Sequence, residues 1–194
     1  AQSHGLILPV LVGPTARMRA LAVEIGADLG ASELVEAASE QAAAELAVAL
    51  ARKGEVQAIM KGHLHTDVLL RPMLDRATGL RIGRRFTHVF VLDVPGLGHP
   101  LLVSDGAINI APDLMTKVDI VQNAIDLAHS LGISQPKVAI LSAVETVTPD
   151  MPSSMDAAAL SKMAERGQIT GEIPREHLND LDIVSEYTGV SSSH

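Results

Sequence analysis

Short apolar runs closed by glycine or proline alternate along this chain with longer stretches whose apolar residues recur every three or four positions. No other feature constrains the fold as tightly. Strand, helix, strand, helix at this spacing implies an α/β protein with a largely parallel sheet. Residues 6–12 end at Gly13-Pro14 and read as a buried strand, with Pro9 marking a sheet edge. Met18, Leu21, Ala22 and Ile25 place a helix over 15–25, and a short strand is expected at 34–37. Ser39 then caps an Ala-rich helix that reaches Lys53 and stops at Gly54. Residues 56–60 read as strand and 66–76 as helix. Two β-rich runs, 88–94 and 101–104, flank the turn Pro95-Gly96-Leu97-Gly98. The longest helix is expected over 113–131, with Leu114, Val118, Val121, Ile125 and Ala128 on one stripe and Gly132 as its stop. A strand at 137–141 and a helix at 157–166 complete the pattern.

The apolar fraction is 47 % of 194 residues, yet it holds only two Phe, one Tyr and no Trp. A core must therefore come from Ala, Leu, Ile, Val and Met. The same count excludes a platform that stacks bases on aromatic rings. A formal charge of −8 argues against nucleic-acid backbone binding. Zero Cys removes a disulfide scaffold, a thiolate nucleophile and a Cys-ligated zinc, and fits a reducing compartment. No run approaches the roughly 18 apolar residues of a membrane span. Residues 5–12 lack the basic flank of a signal peptide. The chain reads as cytoplasmic, with no membrane partner. It opens on Ala1 without a Met, consistent with processing or with excision from a longer product.

Charge is unevenly spread. Arg71, Arg76, Arg81, Arg84 and Arg85 face a single nearby acid, Asp75, so this segment carries +4. A solvated face paired with acids elsewhere is the plain reading. The exclusive use of Arg favours another, because its planar fork recognises phosphate bidentately. A phosphorylated small molecule or a CoA-type ligand would use such a patch. Just upstream, Lys61-Gly62-His63-Leu64-His65-Thr66 follows an expected strand and opens an expected helix, where α/β proteins bind ligands. Gly62 allows close backbone approach, Lys61 adds charge, and Thr66 caps the helix or bonds a phosphate oxygen. His63 and His65 could suggest metal, but no Cys or carboxylate cluster joins them and the reading is metal-free.

Two further polar groups end strands. In the first, Asp105 is a general base, an ion-pair partner or an Asx turn using Gly106, and Asn109 binds ligand or shapes the helix entry. In the second, Ser142 and Glu145 face one crevice or serve as local loop bonds.

These segments combine into a resemblance. KGHLHTDVLLRPML (61–74), TGLRIGRRFTHVFVLD (78–93), SDGAINIAPDL (104–114), KVDIVQNAIDLAHSLGI (117–133), PKVAILSAVETV (136–147) and SSMDAAALSKMAERGQITG (153–171) occur in order. Together they resemble the phosphate acetyl/butyryl transferase family. The resemblance implies a three-layer α/β/α fold with a largely parallel sheet, isocitrate/isopropylmalate-dehydrogenase-like, with two domains and a homodimer. On this chain it implies an N-terminal domain over 1–147 and the start of a second over 148–171. It also implies the reaction acyl-CoA + phosphate ⇌ acyl phosphate + CoA, with coenzyme A as substrate and no covalently bound cofactor. With no Cys, direct transfer in a ternary complex is the natural route. Arg71, in Leu-Arg-Pro, matches a family arginine on the CoA or phosphate side. Chemistry alone assigns Lys61, Gly62, His65, Thr66, Arg84, Arg85 and Asn109 to substrate binding, and Asp105, Ser142 and Glu145 to catalysis.

The family pattern continues with a glycine-rich stretch and a late Ser-Arg motif followed by an acid. Here residues 172–194 form a divergent acidic tail, with five acids against Arg175 and an expected helix over 174–187. Three explanations fit: a truncated or rearranged product, a sequence that omits residues of the whole, or a shortened homologue that binds without catalysis. The alternative function is thus a non-catalytic CoA/phosphate-binding or assembly module, or an inactive fragment. A dehydrogenase is set aside, since no Gly-x-Gly-x-x-Gly follows a strand.

Overall fold

The computed structural model describes residues 2–144 and 146–170. Its contacts divide into two compact units, Ala1–Gly83 and Arg84–His194. In the first, strand β1 (Val10–Gly13), helix α1 (Thr15–Glu24) and strand β2 (Glu33–Glu36) build a parallel pair, with Val10 opposite Glu33 and Gly13 opposite Glu36. Glu36 closes this unit: its carboxylate accepts the Thr15 N–H at 2.9 Å and the Thr15 hydroxyl. The hydroxyl first, then the amide, hold the Glu36 carboxyl below its ordinary range against a smaller effect of burial. Helix α2 (Glu40–Arg52) starts where the Ser39 hydroxyl accepts the Ala42 N–H at 3.1 Å. It buries Ala44 and Val48, and packs on β1 and on helix α3 (Thr66–Leu74).

The second unit holds an antiparallel hairpin of β3 (Val89–Leu92) and β4 (Leu101–Ser104), with Phe90 opposite Val103 and Leu92 opposite Leu101. Helix α4 (Leu114–Ser130) packs on β4 and on helix α5 (Pro152–Glu165). Between the two helices lies a core of Val121, Ile125, Leu160, Ala164 and Ile169. Gln122 fastens the segment after α5, accepting the Thr170 N–H at 2.7 Å and donating to the Thr170 carbonyl. A Lys117–Asp156 ion pair adds a second tie between α4 and α5.

The α/β class and the aliphatic core both match the sequence reading: among the described residues every buried apolar residue is Ala, Val, Ile or Leu. The single largely parallel sheet does not. Among the described residues the strands form two separate pairs, one parallel and one antiparallel. Strand β1 starts at Val10 rather than at residue 6, because Pro9 has no N–H to give; its carbonyl instead accepts the Glu33 N–H at 3.1 Å. Residues 56–60 and 137–141 are not strands. The second run does alternate, with Val138 and Ile140 on the α4–α5 core and Leu141 72 % exposed, but it has no partner ladder. Helix α3 stops at Leu74, two residues early. Pro72 sits inside it, and the Asp75 carboxylate takes the Ala77 and Thr78 N–H groups in a tight turn. Helix α5 begins five residues before the expected start, with Pro152 at the position where a missing N–H is harmless. Among the described residues no helix is long and apolar enough to cross a membrane. The helix expected over 174–187 lies outside them.

Candidate functional site

The candidate residues fall into two groups, one in each unit. In the first unit, Lys61 folds back on its own loop. Its ammonium donates to the Leu64 carbonyl at 2.9 Å and the Gly62 carbonyl at 3.3 Å, leaving one N–H for a ligand. A Cβ on Gly62 would meet nothing within 4 Å among the described residues, so none of these requires glycine there. His65 is the N-cap of α3, in extended backbone and without a side-chain capping bond, and Thr66 is the first helical residue. Thr66 is therefore not the cap. Asp67 in the first turn takes up part of the positive helix end. Arg71, in the last turn, is exposed and has no ionic partner among the described residues.

The following turn depends on Gly79. A Cβ there would lie 2.4, 2.5 and 2.8 Å from the carbonyls of Met73, Asp75 and Pro72, so only glycine fits. Asp75 is held below its ordinary range by the Thr78 hydroxyl, then by the Thr78 and Ala77 amides, against burial.

In the second unit Asn109 and Asp105 meet the arginine segment, whereas Ser142 is bonded to Ser153 and to none of these residues. Arg84 Nη2 lies 2.7 Å from Asp126 on α4, and Arg85 Nη1 is 3.7 Å from Asp119 on the same helix. The Arg85 N–H also donates to Asp119, at 3.2 Å. Asn123 donates to the Arg85 carbonyl at 3.0 Å and to the Thr87 hydroxyl at 3.1 Å. From the loop after β4, Asn109 donates to the Phe86 carbonyl at 3.1 Å and to the Asp105 carboxylate at 2.6 Å. Asn109 thereby ties Asp105 to the arginine segment. Both of its amide hydrogens are used within the protein.

Asp105 also accepts the Ala107 and Ile108 N–H groups, each at 3.0 Å, which makes the Asx turn. Burial pushes its carboxyl up; the Ala107 and Ile108 amides, Asn109 and the His88 backbone outweigh it, and the net displacement is downward. Such a carboxylate is a steady acceptor and a weak base at neutral pH. Asp113, the N-cap of α4, is held down by the Thr116 hydroxyl and then its amide, opposed by burial and helped by the Arg85 charge.

Ser142 Oγ is 2.9 Å from Ser153 Oγ, so two hydroxyls share a bond at the start of α5. Buried Ser154 shapes that turn, accepting the Thr148 N–H at 3.1 Å and donating to the Met151 carbonyl at 2.9 Å. Glu145 lies outside the described residues. Among those described, no group of three or more His, Cys, Asp or Glu could hold a metal. The sequence reading passed over Asp119, Asn123 and Asp126. Their spacing of four and three puts them on one face of α4, the same period that revealed its apolar stripe.

Against this geometry, a family model described as phosphate acetyl/butaryl transferase matches residues 40–187. A phosphate acetyltransferase of Rhizobium meliloti is 56 % identical over 173 residues, which cover 89 % of this chain and 55 % of that protein. One from Rickettsia felis is 46 % identical over 198 residues, covering all of this chain and 57 % of its own length. A phosphate butyryltransferase of Clostridium acetobutylicum is 40 % identical over 171 residues, 88 % of this chain and 57 % of that protein. The chain thus spans about half the length of the curated relatives it matches. Among solved structures, a branched-chain phosphotransacylase from Enterococcus faecalis V583 superposes with a TM-score of 0.64 at 30 % identity, covering 80 % of this chain and 63 % of that one.

Proposed function

The chain belongs to the phosphate acetyl/butaryl transferase family, and from that premise we propose that it transfers an acyl group reversibly between coenzyme A and inorganic phosphate. The observation that carries the proposal is the family match from residue 40 to residue 187. In the direction of thioester synthesis, the CoA sulfur attacks the carbonyl carbon of an acyl phosphate. A C–S bond forms, the C–O bond to phosphorus breaks, the thiol proton goes to a base, and phosphate leaves. The chain has no Cys, so no thioester forms on one of its own side chains, and both substrates meet in a ternary complex.

The roles follow the chemistry of each group. Arg71 and Lys61 offer cationic donors to phosphate oxygens, with Gly62, His65 and Thr66 shaping the approach to the α3 N-terminus. Arg85 keeps N–H donors beyond its 3.7 Å contact with Asp119, and its side chain is 51 % exposed. Arg84 supports it from the same segment and Asn109 from the loop after β4. Asp105, Ser142 and Glu145 are the proposed catalytic groups, to receive the thiol proton and to aim donors at the tetrahedral oxyanion. In the same reading the fold is three-layer α/β/α and isocitrate/isopropylmalate-dehydrogenase-like, with domains over 1–147 and from 148. The protein works as a cytoplasmic homodimer.

One observation favours a second reading, a CoA/phosphate-binding module without catalysis: Asp105 is saturated with donors and held below its ordinary range, the opposite of a tuned base. Phosphate release, read beside calorimetric titration of CoA, separates the two. Purified protein is given acetyl phosphate or butyryl phosphate with and without CoA, and phosphate release is followed. The enzyme reading expects CoA-dependent release, with an Arg71→Ala variant raising KM about tenfold or more. CoA binding without release supports the module and sinks the enzyme.

A further inference from the structure

We infer that Asn123 is a positioning residue: its carboxamide fixes the backbone of the 84–87 segment and so sets the aim of Arg85 at a substrate phosphate. The inference rests on the reading that this chain binds coenzyme A and phosphate. Residues 84–87 precede β3 and belong to no ladder, so their backbone polar groups need partners elsewhere. They find them in side chains. Asp119 takes the Arg85 N–H at 3.2 Å, Asn123 takes the Arg85 carbonyl at 3.0 Å, and Asn109 takes the Phe86 carbonyl at 3.1 Å. Both polar groups of one peptide residue are thus held from a single helix face, four residues apart.

Asn123 also holds the Thr87 hydroxyl at 3.1 Å, so both its amide hydrogens are spent on this segment and none is left for a ligand. Both of its donors are directed at the chain that carries the arginines. Asp119 and Asp126 contribute too, but each also offsets an arginine's charge. Asn123 is neutral, so truncating it to Ala changes where Arg85 points and leaves the local charge alone. Bidentate contact with a phosphate tolerates little displacement of the fork.

The test is calorimetric titration of coenzyme A into the whole chain, below the unfolding temperature of each variant. Asn123→Ala is expected to weaken binding about tenfold, since a misaimed cation keeps its charge and loses its geometry. Asn123→Asp keeps the shape, loses the donors and adds a negative charge beside Arg85, so it should weaken binding at least as much, while Asn123→Ala isolates the geometric effect. In turnover the change should fall on KM and leave kcat near the wild-type value, a split that general destabilisation does not produce. Thr87→Val removes one acceptor and should weaken binding less, in the same direction. Wild-type affinity in folded Asn123→Ala and Asn123→Asp overturns the inference. If both fail to fold, wild-type affinity in Thr87→Val overturns it. A wild-type chain that binds no coenzyme A removes the underlying reading and the inference with it. Normal wild-type binding with unaffected variants removes the inference alone.

Discussion

Replacing Asn109 by Ala should destabilise the second unit in a way that depends on pH. The carboxamide makes two bonds, one to the ionised Asp105 at 2.6 Å and one to the neutral Phe86 carbonyl at 3.1 Å. A bond to a charged acceptor and one to a carbonyl, both half-buried, together contribute about 2–3 kcal/mol. The sign of the pH effect follows from Asp105, whose folded carboxyl lies below its ordinary range. A depressed carboxylate stabilises the fold above the unfolded aspartate range, about pH 4, and that stability disappears as pH falls through the lower folded value. Without Asn109 the displacement is smaller, so the variant has less to lose on the acid side. Urea denaturation at stepped pH should therefore show a gap between wild type and variant of about 2–3 kcal/mol at neutral pH. On acidification it should narrow to about 1 kcal/mol, the contribution of the Phe86 bond. A gap that stays constant with pH would refute the electrostatic reasoning, and a variant as stable as wild type would refute the bonding itself.

Three further outcomes follow from the packing and the charges. Leu160 is fully buried against Val121, Ile125, Ala164 and Ile169, so Leu160→Ala should cost about 2–5 kcal/mol in chemical denaturation; a loss under 1 kcal/mol would mean the core does not close there. Gly79→Ala drives a methyl into three carbonyls and should lower thermal stability by several degrees, while an unchanged melting temperature would show that the turn is built differently. Ser39→Ala removes the N-cap of α2 and should cost about 1 kcal/mol in the same denaturation assay, against no change if the cap is idle.

The elements that the sequence revealed were those with local, self-sufficient signals. Ser39 and Gly54 bracket α2 because capping and stopping are properties of a few neighbouring residues. The stripe from Leu114 to Ala128 marks α4 for the same reason. Sheet membership is another matter, since a strand needs a partner that the run itself does not name. Residues 137–141 have the alternation of a strand and lie on the core, yet pair with nothing among the described residues. Proline acted where its missing N–H met a ladder or a helix end, at Pro9 and at Pro72.

The candidate site divides along similar lines. The excess of arginine was visible as charge, but the carboxylates that meet Arg84 and Arg85 sit more than thirty residues on, at Asp126 and Asp119. The choice between a base and an Asx turn at Asp105 could not be made from Asp-Gly alone. Four residues later, Asn109 supplies the contact that ties this turn to the arginines. Asn123 has no sequence signal, because an Asn in a helix carries no motif and only the folded chain brings the Arg85 carbonyl to it.

The most direct test of the transfer proposal is isotope exchange between labelled inorganic phosphate and acetyl phosphate, catalysed by the purified chain. Direct transfer in a ternary complex predicts that label enters acetyl phosphate only when coenzyme A is present, because phosphate can re-enter only through the acyl-CoA. Exchange without coenzyme A would contradict it by revealing an acyl-enzyme, and no exchange with coenzyme A present would contradict catalysis by this chain altogether.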